Sequence, residues 1–141
     1  MKKILIIIMA VMLAAAVAGC GKKKDNTKVD EKTMYTLSSS LTKLSAAVES
    51  TVRYKKPPAG INDQDLLNLA VKHDPKLLEP FKEYKLRVLQ KNKHAVVLVC
   101  SKDGKKGLLE DAGCSAAMDK HLWQSSSSCK FTLDPDEVCK K

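Results

Sequence analysis

From residue 31 to residue 55, apolar positions return at alternating steps of three and four: Met34, Leu37, Leu41, Leu44, Val48 and Thr51. That spacing puts them on one stripe of an α-helix, with Lys32, Lys43, Glu49 and Arg53 elsewhere on its surface. The same steps fit a heptad, but the run is short for a coiled coil. The stripe therefore predicts packing on the chain's own domain, with self-association through the helix 31–55 as the alternative. Pro57-Pro58-Ala59-Gly60 stops the helix. Asn62 is placed to cap a second helix, with Asp63 and Asp65 in its first turn. Leu66, Leu69, Ala70 and His73 would share one face, and Pro75 would end it. Lys76 to Tyr84, with Leu77, Leu78, Phe81 and an internal Pro80, reads as a short turn or helical piece.

The period then changes. Leu86-Arg87-Val88-Leu89 alternates as a strand, and Lys91-Asn92-Lys93 is a polar turn. Ala95 to Cys100 is a continuous, largely β-branched run that predicts a strand covered on both faces. Asp103-Gly104 is a hairpin signal leading into Lys106-Gly107-Leu108-Leu109-Glu110. The simplest assembly is an α+β fold: N-terminal amphipathic helices on a three-stranded antiparallel meander. Residues 115–128, with His121 and Trp123, predict a helical turn running into the serine loop 125–128. Asp134-Pro135-Asp136-Glu137 has the cap, the first-turn proline and the acidic residues of a helix start. Cys139 would pin this last piece as part of a disulfide-stapled C-terminal segment.

The first twenty residues obey a different rule. Lys2-Lys3 precede the uncharged run Ile4 to Gly19, and Lys22-Lys23-Lys24 follow at once. This charge–apolar–small order is that of a secretory signal, and the run is short for a permanent span. Val17-Ala18-Gly19-Cys20 resembles the lipobox of bacterial lipoproteins: an aliphatic residue, two small residues and a cysteine. The resemblance implies cleavage between Gly19 and Cys20, a diacylglyceryl group on the Cys20 thiol and, often, acylation of the new amine. Two or three acyl chains hold stably where one does not. The expected organisation is a signal peptide at 1–19, the lipidated cysteine with a polar tether at 20–30, and one domain at 31–141. The chain would then sit in the cell envelope, on the inner or the outer membrane, facing an extracytoplasmic compartment such as the periplasm.

Cleavage changes the charge little. The whole chain has 25 basic and 16 acidic side chains, and losing Lys2 and Lys3 lowers the formal balance from +9 to +7. A basic surface suits anionic headgroups, an acidic envelope polymer or an acidic partner protein. Nucleic acid is disfavoured, because export separates the chain from it. Cys100, Cys114, Cys129 and Cys139 remain, an even number that in an oxidising compartment reads as two disulfides. Four cysteines permit three pairings. The shortest loops favour Cys100–Cys114 and Cys129–Cys139, although the expected hairpin sets Cys100 opposite Gly107 and not Cys114.

No constellation in the chain prescribes a reaction. Zinc is the alternative use of the cysteines with His121, but no C-x-x-C knuckle is present and the spacings are loose. His73, His94 and His121 lie in no hydrolase motif, and His73 and His94 read as structural or surface residues. His121 beside Trp123 is the one pocket candidate, and it carries the remote reading of a small metal-binding or enzymatic domain. One tryptophan, three tyrosines and two phenylalanines offer little surface for stacking sugars. The calcium loop and the phosphate-binding glycine loop are both missing from the sequence. The expectation is thus a non-enzymatic binding module with no cofactor, no resident metal and an oligomeric state left open.

Overall fold

A computed structural model describes residues 29–115, 118–119 and 128–140. Gly19, Cys20, most of the tether, His121 and Trp123 lie outside the described residues. The first helix, α1 (Glu31–Ser50), begins at Asp30, whose carboxylate accepts from the Thr33 N–H at 3.0 Å. The expected stripe is buried in full, from Met34 through Leu41, Leu44 and Val48 to Thr51. It is spent on the domain's own core, so it offers no free apolar face for a second copy. Glu49, expected on the open surface, is buried beside it, as is Ser45. The α-helix is shorter than predicted: Thr51–Lys55 widens into a π turn, and Lys56 closes it at φ 48° ahead of Pro57. An α-helical residue before proline is disfavoured, which is why the chain leaves the helix there.

Helix α2 (Asp63–Ala70) carries the predicted cap, with Asn62 accepting from the Asp65 N–H at 2.9 Å. Of the expected face, Leu66 is buried and Ala70 packs partly buried against the core, while Leu67 and Val71 are buried in place of Leu69 and His73. The helix stops after two turns, so His73 falls beyond its end and is exposed. A 3₁₀ helix, Pro75–Phe81, then buries Phe81.

The sheet is a meander in the order β1-β2-β3-β4, comprising β1 (Lys85–Lys91), β2 (His94–Cys100), β3 (Gly107–Ala112) and β4 (Met118–Asp119). Asn92 and Lys93 both take positive φ, 49° and 70°, as a tight two-residue hairpin turn requires. Between β2 and β3 the register slips: Val99 faces Leu109 while Cys100 faces Gly107, so Leu108 is the extra residue of a bulge. Two-residue β4 pairs with Glu110 and Asp111, where a helical turn was expected. The rest of that expected turn lies outside the described residues.

As predicted, β2 is covered on both faces. Ala95, Val97 and Val99 join the core under α1, while Leu98 and Cys100 pack with Cys129 and Phe131. The second cover is the returning segment 128–140, which ends in the short helix α3 (Pro135–Val138). Each fully buried valine or leucine of this layer contributes about 1.5–3 kcal/mol.

The returning segment is tied down by β1 and β3. Buried Glu110 accepts from the Thr132 and Leu133 N–H groups at 3.0 Å and from the Thr132 hydroxyl. Arg87 donates to the Cys129 carbonyl at 3.1 Å and lies over the Phe131 ring. Lys91 pairs with Asp134 at 2.9 Å and Asp136 at 3.0 Å, and these bonds hold both carboxyls below their usual values. That contribution is present above the unfolded carboxylate range and is lost as pH falls through the depressed values.

The disulfides are Cys100–Cys129 and Cys114–Cys139, which corrects the sequential pairing. With β3 antiparallel to β2, the seven steps from Gly107 to Cys114 carry the chain about 20 Å away from Cys100 at the usual rise per residue. A disulfide needs Cα atoms within about 7 Å. Cys100 of β2 and Cys114 just beyond β3 are instead met by the segment that returns along the sheet.

Candidate functional site

An open groove runs where the tether enters the domain. One part holds about 350 Å³ and is lined by Val29, Glu83, Tyr84, Ser101, Lys102 and Lys106, among others. An adjoining part of about 400 Å³ adds Lys85, Leu86, Arg87 and Gly104. Tyr84 and Asp103 line both parts, so they form one continuous surface.

The loop after β2 builds its outer wall. Asp103 accepts from the Ser101 hydroxyl at 2.6 Å and the Lys105 N–H at 3.0 Å, which holds its carboxyl below the usual range. Gly104, at φ 73°, lets the turn close against the Lys85 side chain. Lys102 bonds Glu83 across the groove at 2.5 Å. Burial, then the carboxylates of Asp30 and Glu83, raises the Tyr84 phenol above its ordinary value, so it remains a neutral hydroxyl. Lys85, Arg87, Lys102 and Lys106 stand against Glu83 and Asp103, an excess of positive charge. The groove is therefore a basic surface with an aromatic wall.

A second cluster lies under α1, at the far end of the sheet. Ser45 donates to the buried Asp111 of β3. Burial pushes the Asp111 carboxyl above its ordinary value, and the Ser45 bond pulls it only partly back. A carboxyl raised in the folded state adds stability below its unfolded pKa and loses it as pH rises through the folded value. Asp111→Asn, which keeps an acceptor for Ser45, is accordingly expected to raise the melting temperature at pH 7. The gain should vanish below about pH 4, and thermal unfolding across pH 3–8 checks both signs.

Beside that pair, Glu49 reaches from α1 to the first residues of β2. Its Oε1 lies 2.6 Å from His94 Nδ1, and its Oε2 accepts from the Ala95 N–H at 2.8 Å. The Cys114–Cys139 disulfide adjoins this pair, so that Glu49, His94, Cys114 and Cys139 form one cluster. Both cysteines are partly exposed, whereas Cys100 of the other disulfide is wholly buried.

All four predicted disulfide cysteines are thus brought into bonds, in the corrected pairing. Cys20, Gly19, His121 and Trp123 are outside the described residues. Three roles arise only in the folded chain. His94, read as structural or surface, anchors a buried carboxylate. Glu49 and Asp111 sit in the core. For Glu49 a signal existed, since Ser45 and Glu49 are four apart and flank the stripe, but their partners come from strands far along the chain. Among the described residues no buried side-chain nitrogen or oxygen lacks a hydrogen-bond partner, and no helix is long and apolar enough to cross a membrane.

No protein-family model matches the chain, and no curated protein or solved structure matches it significantly.

Proposed function

We propose that this protein is a lipid-anchored lipoprotein of the cell envelope, and that its domain is a non-enzymatic interaction module. One observation carries the reading: Lys2-Lys3, an uncharged run, and Val17-Ala18-Gly19-Cys20 in the order and spacing of a lipobox. Two disulfides support it, because such bonds persist in oxidising compartments. The position of Val29 supports a use for the groove. It lines one wall, so the tether from Cys20 would hold that face towards the membrane. An acidic envelope protein or polymer fits the positive excess there, and the complementary charge would speed encounter.

The intact mass of chain extracted from membranes tests the anchor. The expected species starts at acylated Cys20, and its other four cysteines refuse an alkylating reagent until reduced. An unprocessed N-terminus would overturn the anchor. A photo-crosslinker at Lys106, compared with one at Lys55 on the π turn, tests the groove in intact cells. A reproducible envelope partner at Lys106 alone is expected; equal products at both positions would remove the groove from the reading.

A further inference from the structure

We infer that the Cys114–Cys139 disulfide is one of two states of a metal site, and that in its reduced state the chain binds a single thiophilic divalent cation of the zinc type. The inference stands on the second cluster and is independent of the membrane anchor. Glu49, His94, Cys114 and Cys139 each offer a donor atom, and the four donors lie within 4.8 Å of one another. In a tetrahedral zinc site, bonds of about 2.0–2.3 Å set the donors roughly 3.5 Å apart. A contraction of about 1 Å, together with separation of the two sulfurs, would bring both thiolates and His94 to that spacing, with the fourth position open to water while Glu49 stays on His94 and Ala95.

The donor set suits such an ion. Two thiolates and an imidazole are the common partners of zinc, and they discriminate against calcium and magnesium. Glu49 is placed for the task that carboxylates perform around metal-bound histidines. It holds His94 Nδ1 at 2.6 Å, which fixes the ring and leaves Nε2 as its second nitrogen. The Ala95 N–H on its other oxygen fixes Glu49 in turn. His94 is the first residue of β2, Glu49 belongs to α1, and the cysteines follow β3 and α3. Four separate elements therefore converge at one corner, and the cation would cross-link the same segments that the disulfide links.

The two states exclude each other, and their interconversion balances. A dithiol passes two electrons to the Cys114–Cys139 bond and becomes a disulfide, while each cysteine sulfur takes one proton. Binding M²⁺ then displaces those two protons as the thiolates ligate. Accessibility favours the step. Both cysteines of this bond are partly exposed, whereas the other bond exposes only Cys129 and keeps Cys100 buried in β2. Mild reduction should open Cys114–Cys139 first.

The test uses the chain from Cys20 onward, oxidised or treated with dithiothreitol and desalted without oxygen, then titrated with zinc and with cobalt(II). The expected result is one zinc per reduced chain and none per oxidised chain, with a cobalt spectrum showing thiolate ligation in tetrahedral geometry. Zinc affinity should fall at least tenfold in Glu49→Gln, and further in His94→Gln. The paired Cys114→Ser, Cys139→Ser variant, which keeps the Cys100–Cys129 thiols, should bind no zinc stoichiometrically. Equal binding in His94→Gln or in the paired serine variant would place the ion elsewhere and overturn the site. So would a reduced chain that takes up no zinc, whether circular dichroism finds it folded or unfolded.

Discussion

Gly113→Ala is expected to destabilise the domain by about 3 kcal/mol, at the upper end of what overpacking usually costs. An alanine Cβ would strike the Ser45 carbonyl of α1, with the Ser45 carbonyl carbon at 2.6 Å and the Glu49 Cβ at 2.8 Å. Two of these three atoms are backbone, so no side chain can turn aside to make room. Neither wall can retreat. The next residue, Cys114, is bonded to Cys139, and α1 is held on the sheet by its buried stripe. The least costly response is to lift α1 near Ser45, which breaks the Ser45–Asp111 bond and loosens Glu49 from His94. A loss of roughly 10 °C or more in melting temperature should follow for a domain of this size. Gly60→Ala is the control. That glycine has φ 78° but nothing within 4 Å of an added Cβ, so only the backbone term of about 1 kcal/mol applies. Similar losses in the two variants would show that the Gly113 contact is not close.

Removing the Cys100–Cys129 disulfide by paired alanines should cost about 3.5 kcal/mol from chain entropy, given a loop of 29 residues. The Cys114–Cys139 loop of 25 residues predicts nearly the same entropic term. A difference between the two therefore reports packing. Cys100 is fully buried with Leu98 against Phe131, so its loss also opens a small cavity. Cys114 and Cys139 are only partly buried. Urea unfolding should rank the Cys100–Cys129 variant as the less stable of the two. The loops overlap between residues 114 and 129, so each bond already restricts the other's loop. The double deletion should accordingly cost more than the two single deletions together. The reverse order of the single variants would mean that the sheet face carrying Leu98 and Cys100 is not a true second core.

The largest elements of the fold were legible in the chain because local physics decides them. A six-membered stripe at helical spacing, with Pro57 beyond its end, specifies α1 wherever it packs. Asn62 is a cap by its own chemistry, and the apolar run from Ala95 can only be a strand buried on both faces. The proposed address signal would be of the same kind, since charge, apolar length and the small residues before Cys20 are consecutive. Pairing was not legible. The Cys100–Cys129 and Cys114–Cys139 bonds follow from the antiparallel return of β3, which moves Cys114 far from its nearest neighbour in sequence, and from segment 128–140 crossing back along the sheet. The same holds for Glu49, His94 and Asp111. Each is an ordinary surface residue by local pattern; Glu49 and Asp111 become buried and His94 half-buried because a partner from a distant element satisfies their polar atoms. The basic groove belongs with them, because it joins the 3₁₀ end, β1 and the β2–β3 loop. What depends on neighbours along the chain was determined by the sequence alone. What depends on neighbours across space was decided by the tertiary structure, because burial of a charge or a cysteine has meaning only once its partner has a place.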